Sequence, residues 1–424
     1  MKYYIRKYFL LVFLLFFLPI SCGGNKVLVV NNSHLDYLYE EIVVEGKEMA
    51  IIHIYSDYPD YTFVGDDDEG IACVDDVARA AVYYLYNWQL TKNEENINKN
   101  KRLNEFILHL QSDNGFFNNF IWDDYSINQD FKTSVAEPNW WSWRALWSLT
   151  ESYKYYKQND PVFADRIWNS VEKLISALKE IIPSQYEFEE MNGLKIPAWL
   201  PQKYASDQAA ILLLGLLEYY EQTNDTTIYN YMEKLCDGII AMQLKDTEFN
   251  YNGAFLSWQN LWHSWGNLQS YALLKCYPVL KDESLLNSAL YELNEFYEEL
   301  LKDNFLNYFT VEKIDGKISL ISEEKYSQIA YNIRPMVYAF IEAHKLTGNE
   351  KYAEKAAQAA KWLTGKNPAN SVMYNPGNGR IFDGINSEND VNKNSGAEST
   401  IEGLLTLLKI KENEIALKNF MSDD

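Results

Sequence analysis

The sequence predicts an all-α fold, a closed (α/α)6 toroid of six helical hairpins, with a short extended segment in front of it. Three observations carry that prediction. Nearly apolar helical stretches alternate with amphipathic, charge-faced ones between positions 75 and 407. The apolar stretches begin at intervals of 60 to 68 residues. No Pro-, Gly- or Ser-rich linker divides the body into separate domains. A helix that is apolar on every face must be buried, whereas one with a charged face lies outside. A lone hairpin of this kind cannot bury its inner helix, and closing six of them into a ring buries all six. An open helical solenoid is the alternative with the same periodicity.

Taken in order, the chain begins with a leader over residues 1–21. Lys2, Arg6 and Lys7 form a basic head, an apolar run follows to Leu18, and Ser21-Cys22 closes it. That is the pattern of a secretory signal, and its apolar run is too short to span a bilayer. A thiol directly after Ser21 resembles the lipobox of bacterial lipoproteins, although Pro19 stands where that motif usually has Leu. The expectation is lipidation of Cys22 and attachment to a membrane or cell surface, with plain cleavage and release as the alternative. Residues 22–68 read as an extended segment lying on the ring, with one strand over 49–55 and aromatic turn material over 56–63. Residues 69–424 form the ring. Its inner helices are expected from Asp75, Trp140, Asp207, Asn267, Ala330 and Glu398, and outer helices over 102–111, 163–181, 229–243, 285–301 and 351–363. Two loops echo each other, Asp113-Asn114-Gly115-Phe116-Phe117 and Tyr251-Asn252-Gly253-Ala254-Phe255.

Composition excludes some classes. A net charge of −22 argues against nucleic acid, whose phosphates call for clustered Lys and Arg. Cys73, Cys236 and Cys276 are too far apart for a zinc pattern or a disulfide framework, and the 5 His are scattered, so no metal or cofactor is expected. The aromatic share is 15%, with 12 Trp and 32 Tyr. Ten of the Trp fall between Trp122 and Trp265, mostly where inner helices begin. That distribution favours a sugar-stacking platform, with ordinary core packing as the alternative.

The repeat pattern resembles the six-hairpin toroid glycosidases from about Asp66 to Leu407. Trp362-Leu363-Thr364-Gly365-Lys366-Asn367-Pro368 is similar to a stretch late in family nine glycoside hydrolases. In that family an acidic residue then precedes an Asn-Ala-Gly-like helix start, and Glu388 stands six residues before Asn394-Ser395-Gly396 here. The family's N-terminal Asp-Ala-Gly-Asp motif has only Val74-Asp75-Asp76 as a loose counterpart. The resemblance implies a glycoside hydrolase acting on an oligo- or polysaccharide, by inversion more often than retention.

Fold alone does not supply function, so the site must. Polar and aromatic residues cluster where the inner helices begin: Asp75, Asp76 and Arg79; Glu137, Trp140, Trp141 and Arg144; Asp207; His263, Trp265 and Asn267; Tyr331 and Arg334; Asp383, Glu388 and Glu398. Asp75, Asp207 and Glu398 also suit helix capping, and His263 also suits a satisfied core position. Arg79 and Arg144 lie in apolar helices and therefore need carboxylate partners. Glycoside cleavage needs two carboxyls, separated by roughly 6.5–9.5 Å for inversion and roughly 5–5.5 Å for retention. Ring closure makes the first and sixth hairpins neighbours. The expected pair is Glu398 as acid with Asp76 or Asp75 as base, and Glu137 as a third candidate. The rival readings are a polysaccharide lyase using His263, Tyr331 and Arg334, a sugar epimerase, and a non-catalytic glycan-binding lipoprotein.

Overall fold

The computed structural model describes residues 28–422, so the leader and Cys22 lie outside the described residues. A short helix α1 (Ser33–Leu38) precedes six helix pairs. They are α2 (Val74–Thr91) with α3 (Glu94–His109), α4 (Trp140–Asn159) with α5 (Pro161–Ile181), and α6 (Ser206–Thr223) with α7 (Thr226–Ala241). Then come α8 (Gln269–Leu280) with α9 (Glu283–Asn294) and its continuation α10 (Phe296–Lys302), α11 (Ala330–Thr347) with α12 (Glu350–Ala360), and α13 (Ala397–Lys411) with α14 (Glu414–Met421). Each first member packs on the first members of the adjacent pairs, and α13 packs on α2. The ring is closed, and the open solenoid is excluded.

The hairpin turns are built by side chains of one type. Asn93, Asp160, Asp225, Asp282, Asn349 and Asn413 each accept a hydrogen bond from a backbone N–H in the first turn of an outer helix. Such a cap is worth about 1 kcal/mol. In four of these turns the preceding residue, Lys92, Asn224, Lys281 or Gly348, is left-handed, which ends the inner helix. The opposite ends of the inner helices differ. α6, α8, α11 and α13 begin without any side-chain cap. Asp207 and Glu398 therefore stand in the first turn of their helices and do not cap them.

Inner helices are buried as the apolar runs require: α6 is buried from Ser206 through Tyr219. The outer helices bury one stripe only, as in α5, where Phe163, Ile167, Val171, Leu174 and Leu178 face inward. The two echoing loops are equivalent in structure. Gln111 donates from Nε2 to the Gly115 and Ser170 carbonyls, and Gln243 does the same to Gly253 and Ser288. Cys73, Cys236 and Cys276 are free and buried.

The N-terminal segment is richer than the single strand expected from its sequence. Tyr39–Val44 pairs antiparallel with Lys47–Ile52, and Tyr55–Asp57 pairs with Thr62–Val64. The first hairpin packs on α3 and α2, while α1 packs on α13. Its second hairpin ties down the start of α13: the Ala397 N–H donates to the Ile54 carbonyl at 2.9 Å and the Ser395 N–H to the Ser56 carbonyl at 3.0 Å. Gly396 lies so close that a Cβ there would stand 2.8 Å from the Ile54 oxygen. A three-stranded antiparallel sheet joins Leu261–His263, which precedes the fourth pair, to Tyr308–Ile314 and Lys317–Glu324, which lie between the fourth and fifth pairs. Among the described residues no helix is long and apolar enough to cross a membrane.

Candidate active site

The starts of the inner helices meet at one mouth, and their first two turns bring seven charged side chains together. Arg79 on α2 donates from Nη2 to Asp76 at 2.7 Å, and from Nη1 to Glu398 at 3.0 Å and Glu402 at 3.2 Å. Arg144 on α4 pairs with Asp75 and donates to the Tyr331 hydroxyl at 2.5 Å. Arg334 on α11 pairs with Glu402. The three guanidinium carbons stand 5.1, 5.5 and 5.5 Å from the Tyr331 ring centre. Four carboxylates against three guanidinium groups leave the floor one charge negative. Buried ions persist only when paired in this way. Closure of the ring does bring Asp76 and Glu398 to one arginine.

Exposure separates the roles within the cluster. Asp76 is buried with 8% of its side chain exposed, while Glu398 keeps 41% exposed. Burial pushes the Asp76 carboxyl up to about 6, against the pull of Arg79, with Glu398 and Asp75 adding repulsion. Glu402 is fully buried and was not anticipated from the sequence. It stands one turn after Glu398 in an apolar run, so the reasoning that gave Arg79 a partner applied to it too.

Beside the floor lies an open depression of about 230 Å³. Its lining includes Tyr55, Asp383, Asn386, Asn392, Glu398 and Ser399. Asp383 is half-buried and accepts the Gly396 N–H at 2.8 Å. Burial pushes its carboxyl up to about 6, opposed by the Gly396 N–H and Ser399 and aided by the nearby Glu398 and Asp57. Asp383 and Glu398 thus face the same depression in unlike surroundings.

A second group adjoins Tyr331 through the turn at Gly266. His263 Nε2 is 2.9 Å from the Asp207 carboxylate, both side chains being buried, and its ring stacks on Trp265 at 3.9 Å. Gly266 is left-handed, and a Cβ there would meet the Tyr331 hydroxyl at 2.8 Å and the Trp140 ring at 3.4 Å. The Trp265-Gly266 turn therefore abuts the arginine floor, and Trp140 itself is half-buried with Arg144 5.1 Å from its ring centre.

Other expected site residues stand elsewhere. Trp141 is a core residue whose indole N–H donates to the Phe117 carbonyl at 2.7 Å, so it offers no stacking surface. Asn267 is buried and accepts hydrogen bonds from Ser257 and Gln269, a structural role. Glu137 accepts from Asn139 at the start of α4, outside the depression. Glu388 is exposed in the turn of the Gly384–Ser387 and Asp390–Asn392 hairpin. Both tryptophans and Asn267 are apolar or amide groups at helix starts, where sequence alone does not say which side faces the core. Among the described residues no group of three or more His, Cys, Asp or Glu is arranged to hold a metal ion.

No family model matches the sequence, and no curated protein matches it. Solved structures do resemble the fold. A sugar epimerase from a ruminal bacterium superposes with a TM-score of 0.58 at 11% identity, covering 86% of this chain and 92% of its own. A cellobiose 2-epimerase from Bacillus thermoamylovorans gives 0.59 at 11%, covering 89% and 97%. A family 76 glycoside hydrolase from a bovine Bacteroides thetaiotaomicron strain gives 0.55 at 16%, covering 91% and 78%. The likeness is one of fold. This chain has the (α/α)6 toroid that those sugar-active enzymes share.

Proposed function

We propose that this chain is a carbohydrate-active enzyme, and specifically a glycoside hydrolase working at the Asp383–Glu398 depression. The observation that carries the reading is the pairing of two unlike carboxyls on one open surface. Asp383 is pushed up to about 6 by burial, which suits a general acid. Glu398 meets Arg79 as a carboxylate with 41% of its side chain exposed, which suits a base or nucleophile. The roles differ from the sequence expectation, in which Glu398 was the acid: of the two carboxyls in the depression it is Asp383 that burial pushes up, while Glu398 pairs with Arg79. Asp75 and Asp76 remain paired to arginines and support the floor. The test is incubation of the mature protein with a glycan panel, reading new reducing ends. Glu398→Gln should cut turnover by about 10²–10⁴ while leaving the melting temperature in place. Full activity in that variant would remove Glu398 from the chemistry.

A second reading, proton abstraction at a sugar carbon as in an epimerase or isomerase, is favoured by one observation. The Asp207–His263 pair orients an imidazole beside Trp265. Exchange of solvent deuterium into recovered sugar without new reducing ends would select it.

A further inference from the structure

The hairpin formed by Tyr55–Asp57 and Thr62–Val64 contributes a wall of the depression, although it belongs to the N-terminal segment and not to the ring. Tyr55 is 44% exposed, a large aromatic surface facing the same space as Glu398 and Asp383. Its hydroxyl is held up at about 12, first by burial and then by the nearby carboxylates of Glu69, Asp76 and Asp66. Tyr58, 53% exposed, continues the surface outward, its backbone N–H fixed to the Asn394 side chain at 2.9 Å. Trp265, 37% exposed, stands next to Gly266, which abuts Tyr331 in the arginine floor.

We propose that Tyr55 is a stacking platform for a sugar unit beyond the cleaved bond, so that the substrate is a neutral or amino-sugar oligosaccharide. The proposal rests on the glycan-active reading given above and deepens it. Three features select the chemistry. A ring face offers nothing to an anion but packs on the C–H face of a pyranose, as aromatic surfaces do with apolar groups. The floor is one charge negative, and Asp383 and the chain as a whole are acidic, which repels uronates. Asn386, Asn392 and Ser399 supply amide and hydroxyl groups for sugar hydroxyls. The same segment fixes the platform and the carboxylate together, because the carbonyl of Ile54, next to Tyr55, accepts the Ala397 N–H one residue before Glu398.

The test is calorimetric binding to the Glu398→Gln protein, using cello-, manno- and chito-tetraose with the matching monosaccharides, and an oligogalacturonate of equal length. Binding does not require cleavage, so this assay separates the proposal from the hydrolase reading. In the Glu398→Gln background, adding Tyr55→Ala should weaken tetraose binding about tenfold, leave monosaccharide binding within about twofold, and keep the melting temperature. Tyr55→Phe should retain tetraose affinity. Equal loss for mono- and tetrasaccharide, equal loss in Tyr55→Phe, preference for the oligogalacturonate, or no binding of any neutral or amino sugar would each overturn it. Tetraose binding that depends on Tyr55 in a protein that cleaves nothing would uphold the platform while the hydrolase reading fails.

Discussion

Asp383→Asn separates a catalytic acid from a structural carboxyl. A carboxyl moved from 3.8 to about 6 has a charged form destabilised by up to about 3 kcal/mol at 1.36 kcal/mol per tenfold in proton affinity. Asp383 is half-buried, so solvent screens part of this and about 1–3 kcal/mol is the working range. Between these two values the native protein binds more protons here than the unfolded chain does. Stability therefore falls as pH rises through that window, and the full penalty stands above it. Asparagine carries no charge and still offers an oxygen to the Gly396 N–H. The variant should match wild type near pH 4 and equal or exceed its stability at pH 8, measured by urea unfolding. Activity should respond in the opposite sense. An acid titrating near 6 is about one-tenth protonated at pH 7, so wild-type kcat/KM should fall about tenfold per pH unit above 6. The variant should lose about 10²–10⁴ in rate on an unactivated glycan and much less on a 4-nitrophenyl glycoside, whose leaving group needs no proton. Wild-type turnover in the variant, or a wild-type rate that stays flat to pH 8, would refute the assignment.

Three further outcomes are expected. Arg79→Met strands Asp76 in the interior and removes one of the two arginine partners of Glu402, and should cost about 3–5 kcal/mol in urea unfolding; a loss below about 1 kcal/mol would mean the floor is not held by this arginine. Trp141→Ala should cost about 3–5 kcal/mol of stability because it empties core, whereas Trp265→Ala should spare stability and weaken glycan binding; the reverse pattern would exchange their roles. We propose from the leader that Cys22 carries lipid, so that wild type fractionates with membranes in a lipoprotein-competent host and Cys22→Ala does not; a wild type found wholly in the soluble fraction would refute this.

The ring was legible because its signal is redundant. Six apolar helices at even spacing place their starts within two residues of the observed ones, as with Trp140, Ala330 and Asp207 against Ser206. The site was legible only where physics forced a partner. Arg79 and Arg144 in apolar helices demanded carboxylates, and Asp76, Glu398 and Asp75 are theirs. Tryptophan carries no such demand, so Trp141 and Trp265, at equivalent-looking helix starts, went to opposite environments. Asp383 and Tyr55 lie outside the helical period, and their meeting depends on long-range contacts between the N-terminal segment and the start of the sixth pair. The N-terminal segment was underestimated because Tyr39–Val44 mixes charge and apolar groups, and only its pairing with Lys47–Ile52 and packing on α3 make it ordered.

The capping pattern divides the molecule into two faces with different obligations. One mouth holds the six Asx-capped turns, and changes there cost folding energy. At the other mouth most inner helices begin without side-chain caps, leaving residues such as Asp207 and Glu398 in first turns free of a capping duty. Substitutions at that mouth that leave the buried ion pairs intact can change chemistry at small cost to folding. Sugar epimerases and a glycoside hydrolase share this architecture with the present chain at 11–16% identity.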